Sequence, residues 1–105
     1  MKIHDLIDEN GRVFAFEVHN SLLGRRGAAK IVESIPGAKI VSGHKTLRKE
    51  DEFIEFVLDG VEFRVFEPFG DNSRYWIGPE PVRWCEQTAI VREAFEKHKK
   101  LGFLG

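Results

Sequence analysis

The alternation of apolar and polar positions in residues 53–67 predicts a β-hairpin. Asp59-Gly60 stands at its middle, and Asp-Gly between two alternating runs is a strong signal for a two-residue hairpin turn. Counting outward from this turn, the predicted pairs are Leu58 with Val61, Val57 with Glu62, Phe56 with Phe63, Glu55 with Arg64, Ile54 with Val65 and Phe53 with Phe66. Because a slip of one residue would carry the apolar side chains to the other face, the pattern favours this register.

Shorter alternating stretches predict the other strands of a sheet. One of them places Phe14, Phe16 and Val18 on a common face, as a half-buried strand does. The turn composition of residues 8–11 indicates a second hairpin, formed by the two strands that flank it. The predicted strands outside the first hairpin are residues 1–7, 12–19, 38–43 and 74–77.

The first predicted helix follows the second of these strands. Asn20 and Ser21 are its candidate N-caps, although Gly24 and Gly27 weaken the first turns and leave its start undefined. Pro36-Gly37 is expected to end it. Its apolar stripe, with positions three and four apart, consists of Ala28, Ile31, Val32 and Ile35.

The second predicted helix runs from Pro81, a residue that suits the first helical position, to about Lys100. Lysines at its end complement the helix dipole, and Gly102 is expected to supply the C-cap. Phe103 and Leu104 are expected to fold back on the core or to contact a partner. The predicted apolar stripe consists of Trp84, Thr88, Val91 and Phe95, with Ile90 and Ala94 beside it.

This order of elements predicts an α+β fold. Strands outnumber crossovers, so we expect a two-layer sandwich with a mostly antiparallel sheet of 4–6 strands and two helices on one face. A strongly curved sheet that cradles a helix is the alternative. At 105 residues the chain has the size of one domain, residues 1–105.

Composition narrows the environment of the protein. The single cysteine, Cys85, excludes an internal disulfide and a cysteine-cluster metal site. No apolar run approaches the roughly 20 residues of a membrane span, and acidic residues stand where a signal peptide would need an apolar core. We therefore expect a cytoplasmic protein with no membrane partner.

Charge is distributed unevenly along the chain, although the net charge is only -1. Residues 20–49 hold seven basic residues and one acidic residue, whereas residues 50–71 hold eight acidic residues and one basic residue. Either the two segments neutralise each other in the fold, or the basic segment binds an anion or an acidic partner.

Residues 67–80 combine aromatic, charged and turn-forming residues. Aromatic residues and arginine are enriched at binding hot spots, and proline and glycine punctuation can present them on a connection. The alternative is that the aromatic side chains close one end of the sheet. The candidate ligand- or partner-binding residues of this 69–76 loop are Phe69, Asp71, Arg74, Tyr75 and Trp76.

A basic surface is the second candidate site. In Gly24-Arg25-Arg26-Gly27, glycines allow close approach of a ligand, and the helix that follows presents free N–H groups. The spacing matches no established phosphate-loop motif, and residues 44–49 contain no aromatic side chain for stacking. The candidate anion-binding residues are Arg25, Arg26, Lys30, Lys45 and Arg48.

Candidate chemistry is sparse elsewhere. The four histidines stand at positions without metal-binding spacing, so we expect no metal, no cofactor and no catalytic residue. His19 and His44, near predicted strand ends, and Cys85, near a helix start, are what an enzyme would have to use.

These observations favour a small non-catalytic binding domain that recognises a protein or small ligand through the 69–76 loop. A homodimer is a further expectation, with an exposed hairpin edge or Phe103-Leu104 as its contact. The alternative function is binding of a phosphate-bearing ligand or a nucleic acid through the basic surface, and an enzyme ranks third.

Overall fold

A computed structural model describes residues 3–19, 24–42, 52–66 and 74–104, with backbone only for 24–26, 42, 52–53 and 98–104. Eight elements follow one another along the chain. They are β1 (Ile3–Ile7), β2 (Val13–His19), α1 (Gly24–Glu33), β3 (Lys39–Ser42), β4 (Glu52–Leu58), β5 (Val61–Phe66), β6 (Arg74–Pro79) and α2 (Gln87–Leu104).

The strands form one open six-stranded sheet in the order β1-β2-β6-β5-β4-β3. All five neighbouring pairs are antiparallel. The helix α1 carries the chain from β2 to the far edge at β3, and β3 to β6 then return as a meander that ends beside β2. The predicted α+β sandwich is confirmed, with a sheet at the upper end of the expected strand number.

The core lies between the helices and one face of the sheet. The helix α1 packs against β3, β4 and α2, while α2 packs against β2. The sheet contributes alternate residues, as the period of two requires. The predicted stripe of α1 is buried, and α2 contributes Thr88, Val91 and Phe95, whereas Ile90, predicted beside that stripe, is 43% exposed. The largest fully buried side chains are Tyr75, Phe16, Phe56, Phe63, Phe95, Ile31, Leu58, Ile77, Val18, Val32, Val65 and Val91.

The hairpin of β4 and β5 confirms the predicted register from the turn as far as Ile54, which pairs with Val65. Asp59 and Gly60 both have positive φ, 52° and 78°, as a type I′ turn requires. The last predicted pair is wrong, since Phe66 lies opposite Glu52. A bulge between Glu52 and Ile54 inserts an extra residue and shifts the register there.

Other predictions need correction. Both strands of the β4–β5 hairpin are interior, because β4 also pairs with β3 and β5 with β6, whereas β1 of the β1–β2 hairpin lies at an edge of the described sheet. The homodimer stays a prediction. The helix α2 begins at Gln87, six residues after Pro81, and Gly102 lies inside it rather than at a C-cap. Trp84 therefore precedes the helix and is 41% exposed. Phe103 and Leu104 belong to α2, and their side chains lie outside the described part of the chain.

Two polar contacts secure the β1–β2 side of the sheet. At the turn after β1, the Asp8 carboxylate accepts hydrogen bonds from the backbone N–H groups of Asn10 and Arg12. The hydrogen bond from the backbone N–H of Arg12 is the largest cause of the lowered pKa of Asp8. Arg92 of α2 reaches Asp5 of β1, with 2.6 Å between Nε and Oδ1, and this bond raises the pKa of the guanidinium.

The sheet has two distinct ends. His19, Arg74, Phe66, Glu52 and Ser42 lie at one, which we call the His19 end, and α1 also begins there. The turns after β1 and β4, together with residues 80–86, lie at the opposite end. No helix among the described residues is long and apolar enough to cross a bilayer.

Candidate binding surface on the open sheet face

One face of the sheet packs on the helices and the other lacks a second layer among the described residues; we call the latter the open face. Cross-strand register and the alternation of buried positions assign its side chains. They are His4 and Leu6 on β1, Ala15, Glu17 and His19 on β2, Arg74, Trp76 and Gly78 on β6, Glu62, Arg64 and Phe66 on β5, Glu55 and Val57 on β4, and Lys39 and Val41 on β3.

Trp76 lies at the centre of the open face. Its indole extends along β6 over Gly78, where an added Cβ would stand 2.6 Å from the Cη2 atom of Trp76 and 2.7 Å from the Cβ of Ala15. Phe66, its register partner on β5, packs beside it with 5.1 Å between ring centroids. Gly78 thus makes room for a half-buried aromatic pair that spans the two central strands.

Two ion pairs flank this aromatic pair. Arg74 donates to Glu17 across β6 and β2, with 2.7 Å between Nη1 and Oε1. On the other side, the Nη2 atom of Arg64 stands 3.2 Å from Oε2 of Glu80. Each arginine near Trp76 therefore has a carboxylate partner within the fold.

The β4–β5 side of the open face is acidic. A shallow groove of about 270 Å³ is bordered there by Glu55, Glu62, Arg64 and Glu80. Three carboxylates and one guanidinium thus line this groove, and this part of the face disfavours an anionic ligand.

Two histidines meet at the opposite side of the open face. His4 on β1 and His19 on β2 form a hydrogen bond of 3.1 Å between their Nε2 atoms, and their ring centroids are 5.1 Å apart. The linear spacing of 15 residues gave no sign of this contact. Only the β1–β2 pairing, which sets His4 opposite Glu17, brings them together.

Only three of the five predicted binding residues of the 69–76 loop are described by the structure. Arg74, Tyr75 and Trp76 belong to β6, so the final part of that segment is a central strand. Arg74 and Trp76 face the open side, whereas Tyr75 is 1% exposed and belongs to the core. Phe69 and Asp71 lie outside the described residues.

The predicted basic surface is described only in part. Arg25 and Arg26 lie on the first turn of α1, without described side chains, and Lys45 and Arg48 lie outside the described residues. Lys30 is exposed on α1, where it borders a groove of about 360 Å³ between the two helices. The helix layer thus separates Lys30 from the acidic side chain of Glu55 on the open face.

The sequence did not predict that Trp84 is an exposed aromatic side chain. Trp84 stands against Arg12, whose guanidinium carbon lies 4.6 Å from the indole centroid. Helical spacing had assigned Trp84 to a buried stripe, and only the later start of α2 shows that it is exposed. No proline or glycine between Pro81 and Gln87 marks this later start, and Pro81 itself suits a first helical position.

Among the described residues, the candidates for catalysis lie apart from one another. The Cys85 Sγ atom lies 3.4 Å from Oγ1 of Thr88, which in turn donates to the carbonyl of Phe14. His44 lies outside the described residues, and His19 meets His4. Within the described part of the chain, no group of three or more metal-ligating side chains comes together.

Comparison of this chain with protein-family models, with curated protein sequences and with solved structures found no match. The interpretation of the site therefore rests on its geometry.

Proposed function

We propose that this protein is a binding domain that recognises a protein partner through the open face, with Trp76 at the centre of the contact. The observation that carries this proposal is the half-buried Trp76–Phe66 pair on the two middle strands. Tryptophan at the centre of an interface is the residue most often responsible for binding energy.

The surroundings of Trp76 favour a neutral or mixed-charge partner. Arg74 and Arg64 are paired with Glu17 and Glu80, so their charges are largely compensated. A rim of paired polar groups around an aromatic centre is typical of protein interfaces. A peptide segment with an apolar or aromatic side chain for Trp76 fits this arrangement.

A nucleic acid fits the open face poorly. Open sheets that bind RNA stack bases on aromatic side chains, and Trp76 with Phe66 provides such a platform. However, among the described residues four carboxylates lie on the face or its border, against the three cations Arg64, Arg74 and Lys39, and carboxylates repel a phosphate backbone. The carboxylates are those of Glu17, Glu55, Glu62 and Glu80.

A purely structural role for Trp76 makes a different prediction. An aromatic side chain laid over a glycine shields the backbone of a sheet and stabilises it without any partner. In that case the loss of Trp76 lowers stability but leaves all binding unchanged. A test must therefore separate binding from folding.

Peptide selection against the immobilised protein provides that test. Peptides selected from a random phage-displayed library are measured by fluorescence anisotropy against the wild type, Trp76→Ala and the control Trp84→Ala. We expect Trp76→Ala to weaken binding about 30-fold, because truncation of a hot-spot residue costs about 2 kcal/mol. Trp84→Ala, at the other end of the sheet, should leave it unchanged.

Mapping on the wild-type protein avoids any doubt about folding of the variant. Addition of a selected peptide should shift the amide resonances of β5 and β6 more than those of α1 or α2. Shifts confined to the helices, or affinity that survives Trp76→Ala, would overturn the proposal.

Anion binding at the His19 end is a second candidate function. The backbone brings the first turn of α1, with Arg25 and Arg26, to the end of the sheet where β3 stops and β4 starts. A helix start with two arginines suits a phosphate group. Salt-sensitive thermal stabilisation by an oligonucleotide or by phosphate, lost in the double variant Arg25→Ala/Arg26→Ala, would support it.

A further inference from the structure

The His4–His19 pair offers two metal-binding nitrogens on two paired strands. The Nε2 atoms are 3.1 Å apart, and the residues belong to adjacent strands whose pairing includes Ile3 with Val18 and His4 with Glu17. Both side chains are half-buried, so they remain accessible from solvent. The separation of the two nitrogens is thus set by the sheet rather than by a loop.

The distance between the two Nε2 atoms matches that expected for two nitrogens bound to the same metal ion. Nitrogens bound at about 2.0–2.1 Å from a common ion stand about 2.9 Å apart at a right angle and about 3.3 Å apart at the tetrahedral angle. The observed 3.1 Å lies between these values. Each bond from nitrogen to the ion would make an angle of about 40° with the line that joins the two nitrogens, so both rings must rotate away from a straight hydrogen bond to bind it.

We propose that His4 and His19 chelate a divalent transition-metal ion through their Nε2 atoms. Imidazole ligands suit Zn²⁺, Cu²⁺ and Ni²⁺ rather than Mg²⁺ or Ca²⁺. In the hydrogen-bonded pair one Nε2 atom carries a proton, and metal binding requires that this proton move to Nδ1 or to solvent. The ion replaces the shared hydrogen bond.

The site leaves coordination positions open. Among the described residues no third histidine, cysteine or carboxylate completes a ligand cluster, and the neighbouring Glu17 is engaged by Arg74. Water or a group from a bound molecule would fill the remaining positions. Structural zinc sites are closed by four protein ligands, whereas sites with fewer protein ligands keep a position for water or another molecule.

Titration with Zn²⁺ tests the proposal. In calorimetry at pH 7.5 we expect one equivalent to bind the wild type, and His4→Gln and His19→Gln each to lose this binding. His98→Gln, which removes a histidine from α2 instead, is the matched control and should retain it.

A measurement on the wild type keeps the result independent of variant folding. In ¹⁵N spectra of the imidazoles, Zn²⁺ should shift the Nε2 resonances of His4 and His19 and leave that of His98 in place. Absence of one-to-one binding, binding that survives both single variants, or a shift centred on His98 would each overturn the proposal. Peptide binding through Trp76 is measured separately, so the two proposals fail independently.

Discussion

At the scale of single residues, the open face depends on a glycine. The backbone of Gly78 does not have a positive φ, so any residue could adopt its conformation. Glycine is needed there because a side chain would collide with its neighbours. The missing Cβ lets Trp76 lie flat and lets Ala15 approach from β2. A side chain as small as a methyl group meets both neighbours.

We predict that Gly78→Ala displaces Trp76 and lowers the free energy of unfolding by about 1–3 kcal/mol, the usual cost of overpacking. Denaturant unfolding measures the loss. In a Trp84→Phe background, the emission of Trp76 should shift to the red as the indole becomes more exposed. Unchanged emission together with unchanged stability would show that the contact with Gly78 does not exist.

Residue chemistry was the least predictable part of the molecule. Trp76 and Arg74 were identified because aromatic residues and arginine stand out in composition. Their orientation depends on register with β2, which is distant in sequence. The contact of His4 with His19 likewise exists only through strand pairing, so no spacing rule found it.

At the scale of elements, the β4–β5 hairpin is the part that local sequence specifies best. The Asp59-Gly60 turn and the alternating pattern define the same register, and the structure adopts it. The bulge at Glu52 was not predicted because nothing in the alternation marks an inserted residue. The start of α2 was misplaced because helical spacing continued upstream into residues that do not form a helix.

We predict that Phe63→Ala destabilises the protein by about 3–5 kcal/mol, since Phe63 is fully buried and stacks on Phe56 at 5.2 Å between centroids. Val57→Ala, on the open face of the same hairpin, is the control and should cost about 1 kcal/mol or less. Chemical denaturation compares the two. Equal losses would mean that the assignment of faces is wrong.

At the scale of the whole molecule, the order of the strands distinguishes four interior strands of the described sheet from two edge strands. β6 has a partner on each side, β2 and β5, whereas β1 and β3 each pair on one side only. The fold class followed from the count of strands and helices. The order of the strands in the sheet could not be predicted in this way, because β2 pairs with β6, which is more than 50 residues away in the sequence.

We predict that native-state hydrogen exchange is slowest in β6 and fastest in β1 and β3. Strands paired on both sides open only with the whole domain, whereas edge strands open locally at lower free energy. Exchange monitored by nuclear magnetic resonance gives these values residue by residue. Protection in β1 equal to that in β6 would contradict the strand order.

The pairing of β2 with β6 also matters while the chain is being made. Val18 pairs with Tyr75, which is synthesised 57 residues later. At a translation rate of about 5–20 residues per second, the delay between the two is roughly 3–11 seconds. During this interval the β1–β2 hairpin lacks the partner of its β2 edge, and its apolar face is uncovered. The described sheet is therefore complete only after β6 has emerged from the exit tunnel.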